Sequence, residues 1–206
     1  MERMLIFMDY ANINIPANNC GGMNYGHLLQ YLAEGRFLID GYCYVPIDPR
    51  RQMERARAID DLWEQGWNVQ PKLGKVAGET YKCNVDVEIA IDMLRAAHNI
   101  RPDIIVLCSG DEDFLPVIHE VRRMGIRVEV AAFEQGAARK LRQQASGFIS
   151  LDVYHREWLE HHPREIWLRP EDAVQGQDLD APEADQAVDD GSGATGEIPS
   201  ASRYLP

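Results

Sequence analysis

Four aspartates stand where this sequence could do chemistry. Asp9 closes the apolar run Leu5-Ile6-Phe7-Met8, and Asp111 and Asp113 follow the run Ile104–Cys108 after only Ser109-Gly110. A run of five apolar residues is covered on both faces, which is the mark of a parallel sheet. Open parallel sheets carry their chemistry beyond the carboxyl ends of their strands. Asp86 falls in the first turn of a helix that starts on the same side. Carboxylates crowded at one such rim repel each other unless a cation or solvent neutralises them. An oxygen-only set suits Mg²⁺ or Mn²⁺, and no His or Cys falls beside these acids to favour zinc. Asp9, Asp86, Asp111 and Asp113 are therefore the expected metal-binding and catalytic residues. Asn12, three residues after Asp9, and Ser109, beside the Gly110 amide, are expected to orient a water or a phosphate oxygen. Asp92 lies about 9 Å further along its helix and is the lesser candidate, while Glu88 is about 200° around from Asp86. Each acid taken singly also has a structural reading, as a helix cap or a turn residue. Their joint placement on one edge is what points to a metal.

Alternating strands and helices must position that edge. The pattern predicts strands at Arg3–Asp9, Phe37–Val45, Trp67–Gln70, Ile104–Cys108 and Ile126–Phe133, with a sixth at Phe148–Leu151. Helices are expected over Tyr25–Glu34, Arg50–Gln65, Cys83–Ala97 and the segment carrying Phe114, Val117, Ile118 and Val121. Met53, Ala56, Ile59, Leu62 and Trp63 form the apolar face of the second of these. A short basic helix follows at Gly136–Gln144. Asn14 to Gly22, rich in Asn, Pro and Gly, reads as a loop, and Pro71–Lys82 as a basic loop or irregular hairpin. The order predicts α/β architecture with a parallel sheet and right-handed crossovers.

An anionic substrate would need cations beside these acids. Lys72, Lys75 and Lys82 precede the third helix, with Tyr81 able to stack on a base. Arg50, Arg51 and Arg55 open the second helix, and Arg139, Lys140 and Arg142 lie on the short fifth one. Lys82, four residues from Asp86, stands out.

The totals set limits. The 206 residues carry a formal charge of −12, but Pro170–Pro206 holds nine acids and one Arg, so the rest carries −4. That body does not exclude an anionic substrate. The tail has almost no large apolar residues and reads as disordered, a solubility segment; residues 156–169 are expected to form a last helix against the body. No stretch reads as a signal peptide or a membrane span. Cys20, Cys43, Cys83 and Cys108 show no C-x-x-C spacing, so free thiols in a reducing cytoplasm are expected.

The motifs resemble those of a known family. They are M-L-I-F-M-D9-Y-A-N12, then K82-C-N-V-D86-V with Asp92 six further on, then S109-G-D111-E-D113-F. Over residues 3–152 they resemble the NYN domain, in its LabA-like branch, of the PIN-like nuclease superfamily. The resemblance implies a three-layer α/β/α PIN-like (Rossmannoid) fold with a central, mostly parallel sheet of order 3-2-1-4-5, occupying residues 1–155. It implies a metal-dependent endoribonuclease using Mg²⁺ or Mn²⁺, with Asp9, Asp86, Asp111 and Asp113 at the metal and Asn12 assisting. The expected partner is single-stranded RNA, with a homodimer as a further expectation. Two positions depart from the family pattern: Glu112 stands where relatives often have a small polar residue, and Ser146-Gly147 where they often have an acid. A non-catalytic RNA- or protein-binding regulator and a metal-dependent phosphatase are the alternatives. Asp9-Tyr10-Ala11 lacks the D-x-D that phosphotransfer through an aspartyl intermediate would favour.

Overall fold

A computed structural model describes residues 1–78 and 80–161. Six strands form one parallel sheet: β1 (Arg3–Asp9), β2 (Phe37–Ile47), β3 (Asn68–Leu73), β6 (Ile104–Cys108), β7 (Arg127–Ala132) and β8 (Gly147–Ser150). Between β3 and β6 the strands β4 (Lys75–Ala77) and β5 (Thr80–Lys82) make a separate antiparallel hairpin. The large sheet runs β3-β2-β1-β6-β7-β8. This is the expected order extended by one edge strand, the sixth one read from the sequence.

Alternation along the strands divides the core in two. Met4, Ile6 and Met8 of β1 face one layer, while Leu5 and Phe7 face the other. The first layer holds α1 (Tyr10–Asn19), α2 (Tyr25–Ala33), α3 (Gln52–Glu64) and α7 (Leu151–His161). The second holds α4 (Asp86–Asn99), α5 (Leu115–Arg123) and α6 (Arg139–Gln144). Helices on both faces bury the central strands completely, which is why β6 reads as an unbroken apolar run.

Three local expectations change. The stretch read as a loop from Asn14 is helical to Asn19, because Tyr10, Ile13 and Ala17 fall on one buried face despite Pro16. Tertiary burial there outweighs poor intrinsic propensity. Met53, Ala56 and Trp63, expected in the buried face of α3, are exposed, and Ile59 and Leu62 do the burying. The last helix begins at Leu151 and seats Tyr154 and Trp158 against the first layer. The expectations for residues 162–206, the acidic tail among them, lie outside the described residues. Among those described, no helix is long and apolar enough to cross a membrane.

Candidate metal centre

The strand order reverses between β1 and β6, which run side by side with Met8 opposite Cys108. That is the topological switch point, where a crevice opens beyond the strand ends. Asp9 is the last residue of β1 and caps α1, accepting the Asn12 N–H at 3.3 Å. Asp111 emerges just past β6 and caps a 3-10 turn (Glu112–Phe114) by accepting the Asp113 N–H at 3.0 Å. Asp86 is the first residue of α4, its N–H held at 2.8 Å by Asn84 Oδ1. The three aspartates are thus capping or first-turn residues, as expected of a carboxylate beside a positive helix end. Asp9 and Asp111 are side-chain caps, whereas Asp86 and Asp113 lie in first turns without capping them.

Carboxylate oxygens of Asp86, Asp111 and Asp113 all lie within 4.8 Å of one another. Asp9 is outside that trio but beside it. It is buried, with 7% of its surface exposed. Its carboxyl is pushed up to about 6, first by burial, with the Asp86 and Asp111 charges adding to the push. Asp86 is also raised, by partial burial and then by Asp111. Among the described residues, no Lys or Arg forms an ion pair with any of the four.

The donor set fits a divalent cation. Three oxygens that close can share one ion of the Mg²⁺ or Mn²⁺ kind, which takes carboxylates and keeps water in its remaining positions. Four like charges with no basic partner leave a field that such an ion would relieve.

Other residues expected at the site are placed differently. Asn12 Oδ1 accepts the Gly110 N–H at 2.8 Å, so this side chain ties the start of α1 to the exit of β6. Ser109 is fully buried, with its Oγ accepting the Asp111 N–H at 3.3 Å. It shapes the turn that presents Asp111 and is closed to a substrate. Tyr81 lays its ring against Gly74, where even a Cβ would collide with it. Its hydroxyl is buried. Lys75 and Lys82 are exposed on the hairpin. Lys72 is spent on the Asn84 carbonyl (2.7 Å) and on Glu88. Asp92 accepts from the Tyr44 hydroxyl at 2.9 Å and pairs with Arg95 at 3.1 Å, away from the trio.

One supporting residue, Asn84, escaped the sequence reading, and another, Gly110, was expected only for its amide. Asn84 orients Asp86, and an Asn two residues before a helical aspartate is a turn signal that could have been read. Gly110 is needed because the Gly136 carbonyl oxygen and the Ala137 Cα occupy the space a side chain would take. No local pattern announces a contact made across 26 residues.

Comparison with known proteins agrees with this fold. A family model described as "NYN domain" matches residues 3–152. The chain is 32% identical over 162 residues to the "Low amplitude and bright protein LabA" of Synechococcus elongatus, covering 73% of this chain and 84% of that protein. It is 30% identical over 119 residues to the uncharacterized protein MJ0482 of Methanocaldococcus jannaschii, covering 56% and 46%. Among solved structures, a Vibrio parahaemolyticus protein of unknown function, VPA0982, superposes with a TM-score of 0.63 at 20% identity, over 73% of this chain and 93% of that one.

Proposed function

The chain belongs to the NYN domain family, in its LabA-like branch, and from that membership we propose that it is a metal-dependent endoribonuclease hydrolysing RNA phosphodiester bonds. The observation that carries the reading is the convergence of Asp86, Asp111 and Asp113 within 4.8 Å, beside Asp9 and without a basic neutralising partner among the described residues. Fold likeness alone would not carry it, since one fold hosts many activities.

Asp86, Asp111 and Asp113 would hold Mg²⁺ or Mn²⁺. When bound, such an ion supplies charge that stabilises the developing phosphorane and lowers the pKa of an attacking water. The protein's share is positioning. Asp111 and Asp86 are fixed by their caps and turns, and Asn12 and Gly110 lock the two strand ends together. Asp9, buried and raised to about 6, suits a proton acceptor for water, since an acid–base group works best with its pKa near the working pH. Lys75 and Lys82 are the cations nearest in sequence to Asp86 that remain exposed without an acidic partner among the described residues. The four cysteines are free, which suits action in the cytoplasm.

The test uses purified full chain with end-labelled single-stranded RNA in Mn²⁺ or EDTA. Cleavage in Mn²⁺, none in EDTA, and a loss of at least a hundredfold in Asp111→Asn are expected. Equal cleavage by the variant would overturn the assignment. RNA binding without cleavage would make the protein a regulator instead.

A further inference from the structure

The hairpin pairs Lys75 directly opposite Lys82 across its two strands. Like charges at directly opposed positions destabilise an antiparallel pair, and neither lysine has an acidic partner among the described residues. Tyr81 and Val76 form the neighbouring opposed pair and lie on the other face. Tyr81 packs on Gly74 at the hairpin's base, and the Gly74 N–H, bonding to the Ile47 carbonyl at 2.9 Å, ties that base to β2. The lysine pair is therefore displayed on an anchored support, with Lys82 four residues before the trio's Asp86 on one side and Lys75 two residues after the end of β3 on the other.

The opposite flank of the metal centre is built differently. Lys140 pairs with Glu112 at 2.7 Å, and Arg142 lies 3.9 Å from Glu134 and 4.5 Å from the centre of the Phe148 ring. Most of the positive charge of α6 is thus already matched, Arg139 excepted. Leu73 (59%), Val76 (43%) and Val87 (62%) are exposed on the hairpin flank, whereas among the described residues that follow Ile91 in sequence, α6 included, no large hydrophobic is exposed. Unmatched cations beside exposed apolar side chains fit a single strand, whose phosphates need charge and whose unstacked bases need apolar surface.

We infer that the substrate strand is gripped on one side only: Lys75 and Lys82 clamp a phosphate neighbouring the scissile one, with bases against Leu73 and Val87, and α6 contributes no phosphate contact. This deepens the ribonuclease reading and rests on it.

Lys82→Glu separates grip from fold, because it turns a repulsive cross-strand pair into an attractive one. Binding is read by fluorescence anisotropy of a labelled twelve-nucleotide oligouridylate on full-length protein in EDTA, across a salt series. Lys82→Glu is expected to weaken binding at least tenfold and to flatten the salt slope by about 0.7 or more, the share of one lost phosphate contact on a single strand. Its melting temperature should not fall. Arg139→Glu should bind within twofold of wild type, and a duplex RNA should bind more weakly than the single strand. Unchanged affinity in Lys82→Glu, a tenfold loss in Arg139→Glu, or tighter duplex binding overturns the one-sided grip while leaving cleavage by the wild type standing. Neither binding nor Mn²⁺-dependent cleavage by the wild type would remove the ribonuclease reading, and the grip with it.

Discussion

Asp9 shows what a single buried carboxyl costs and what it implies. Its folded-state value is about 6 against an ordinary 3.8, so the native state holds this proton more tightly than the unfolded chain does. Stability from this group is therefore fully present below about pH 4 and declines as pH rises toward 6, after which it stays low. A shift of that size corresponds to about 3 kcal/mol. Asn can still cap α1 but carries no charge. In EDTA, Asp9→Asn should melt several degrees above wild type at pH 7.5, and the gap should shrink toward pH 4. Denaturation followed by circular dichroism across that range checks it, and equal melting at pH 7.5 would show that the charge is not destabilising. Under the proposed role as proton acceptor the same substitution should abolish cleavage, the stability–function conflict expected of a buried, desolvated carboxylate. The type and order of the four acids were legible in the sequence because strand ends and helix starts are written in local patterns. Their exact neighbours were not. The burial of Ser109 and the Tyr81–Gly74 contact depend on segments meeting across the fold.

Among the elements, α1 is where local reading and tertiary structure disagree most. Its sequence is poor in helix formers, yet Tyr10, Ile13 and Ala17 are buried by it. Pro16 has no N–H to offer the Asn12 carbonyl four residues back and costs an interior helical bond. Asn12 belongs to the same turn and holds the Gly110 N–H. Pro16→Ala should restore the helical bond and stabilise the protein by about 1 kcal/mol, the proline penalty being partly offset by added freedom in the unfolded chain. Urea titration would register this as a higher midpoint at unchanged slope. A lower midpoint would mean that the half-buried ring contributes more by packing than its missing donor costs. The strands were easier to read, because complete burial of β6 leaves an apolar run that no exposed element imitates. The apolar spacing of α3 misled at Met53 and Trp63, since a helix over a sheet edge buries a narrower stripe than its sequence offers.

Across the whole molecule, matched and unmatched charges sit at opposite ends of the sheet. At the amino ends of the strands, buried Glu129 is clasped by Arg36 at 2.8 Å and Arg127 at 2.9 Å, a matched network with nothing left to bind. At the carboxyl ends, four acids are left unmatched on one side and two lysines on the other. Beyond the described residues the chain from Pro170 adds a net −8 to a body of −4. Charge of that sign in the same chain could compete with RNA for the hairpin lysines, but at physiological salt the Debye length is about 8 Å. Only a segment held against the hairpin would then matter, and a composition so poor in large apolar residues offers little to hold it there. Removing residues 170–206 should accordingly leave RNA affinity within about twofold at 150 mM salt, while modestly raising it at low salt where screening fails. Anisotropy titrations of the truncated and full-length chains at both salt concentrations decide it. A gain of tenfold or more at 150 mM would make the tail a competitor docked on the lysine pair rather than a solvating segment.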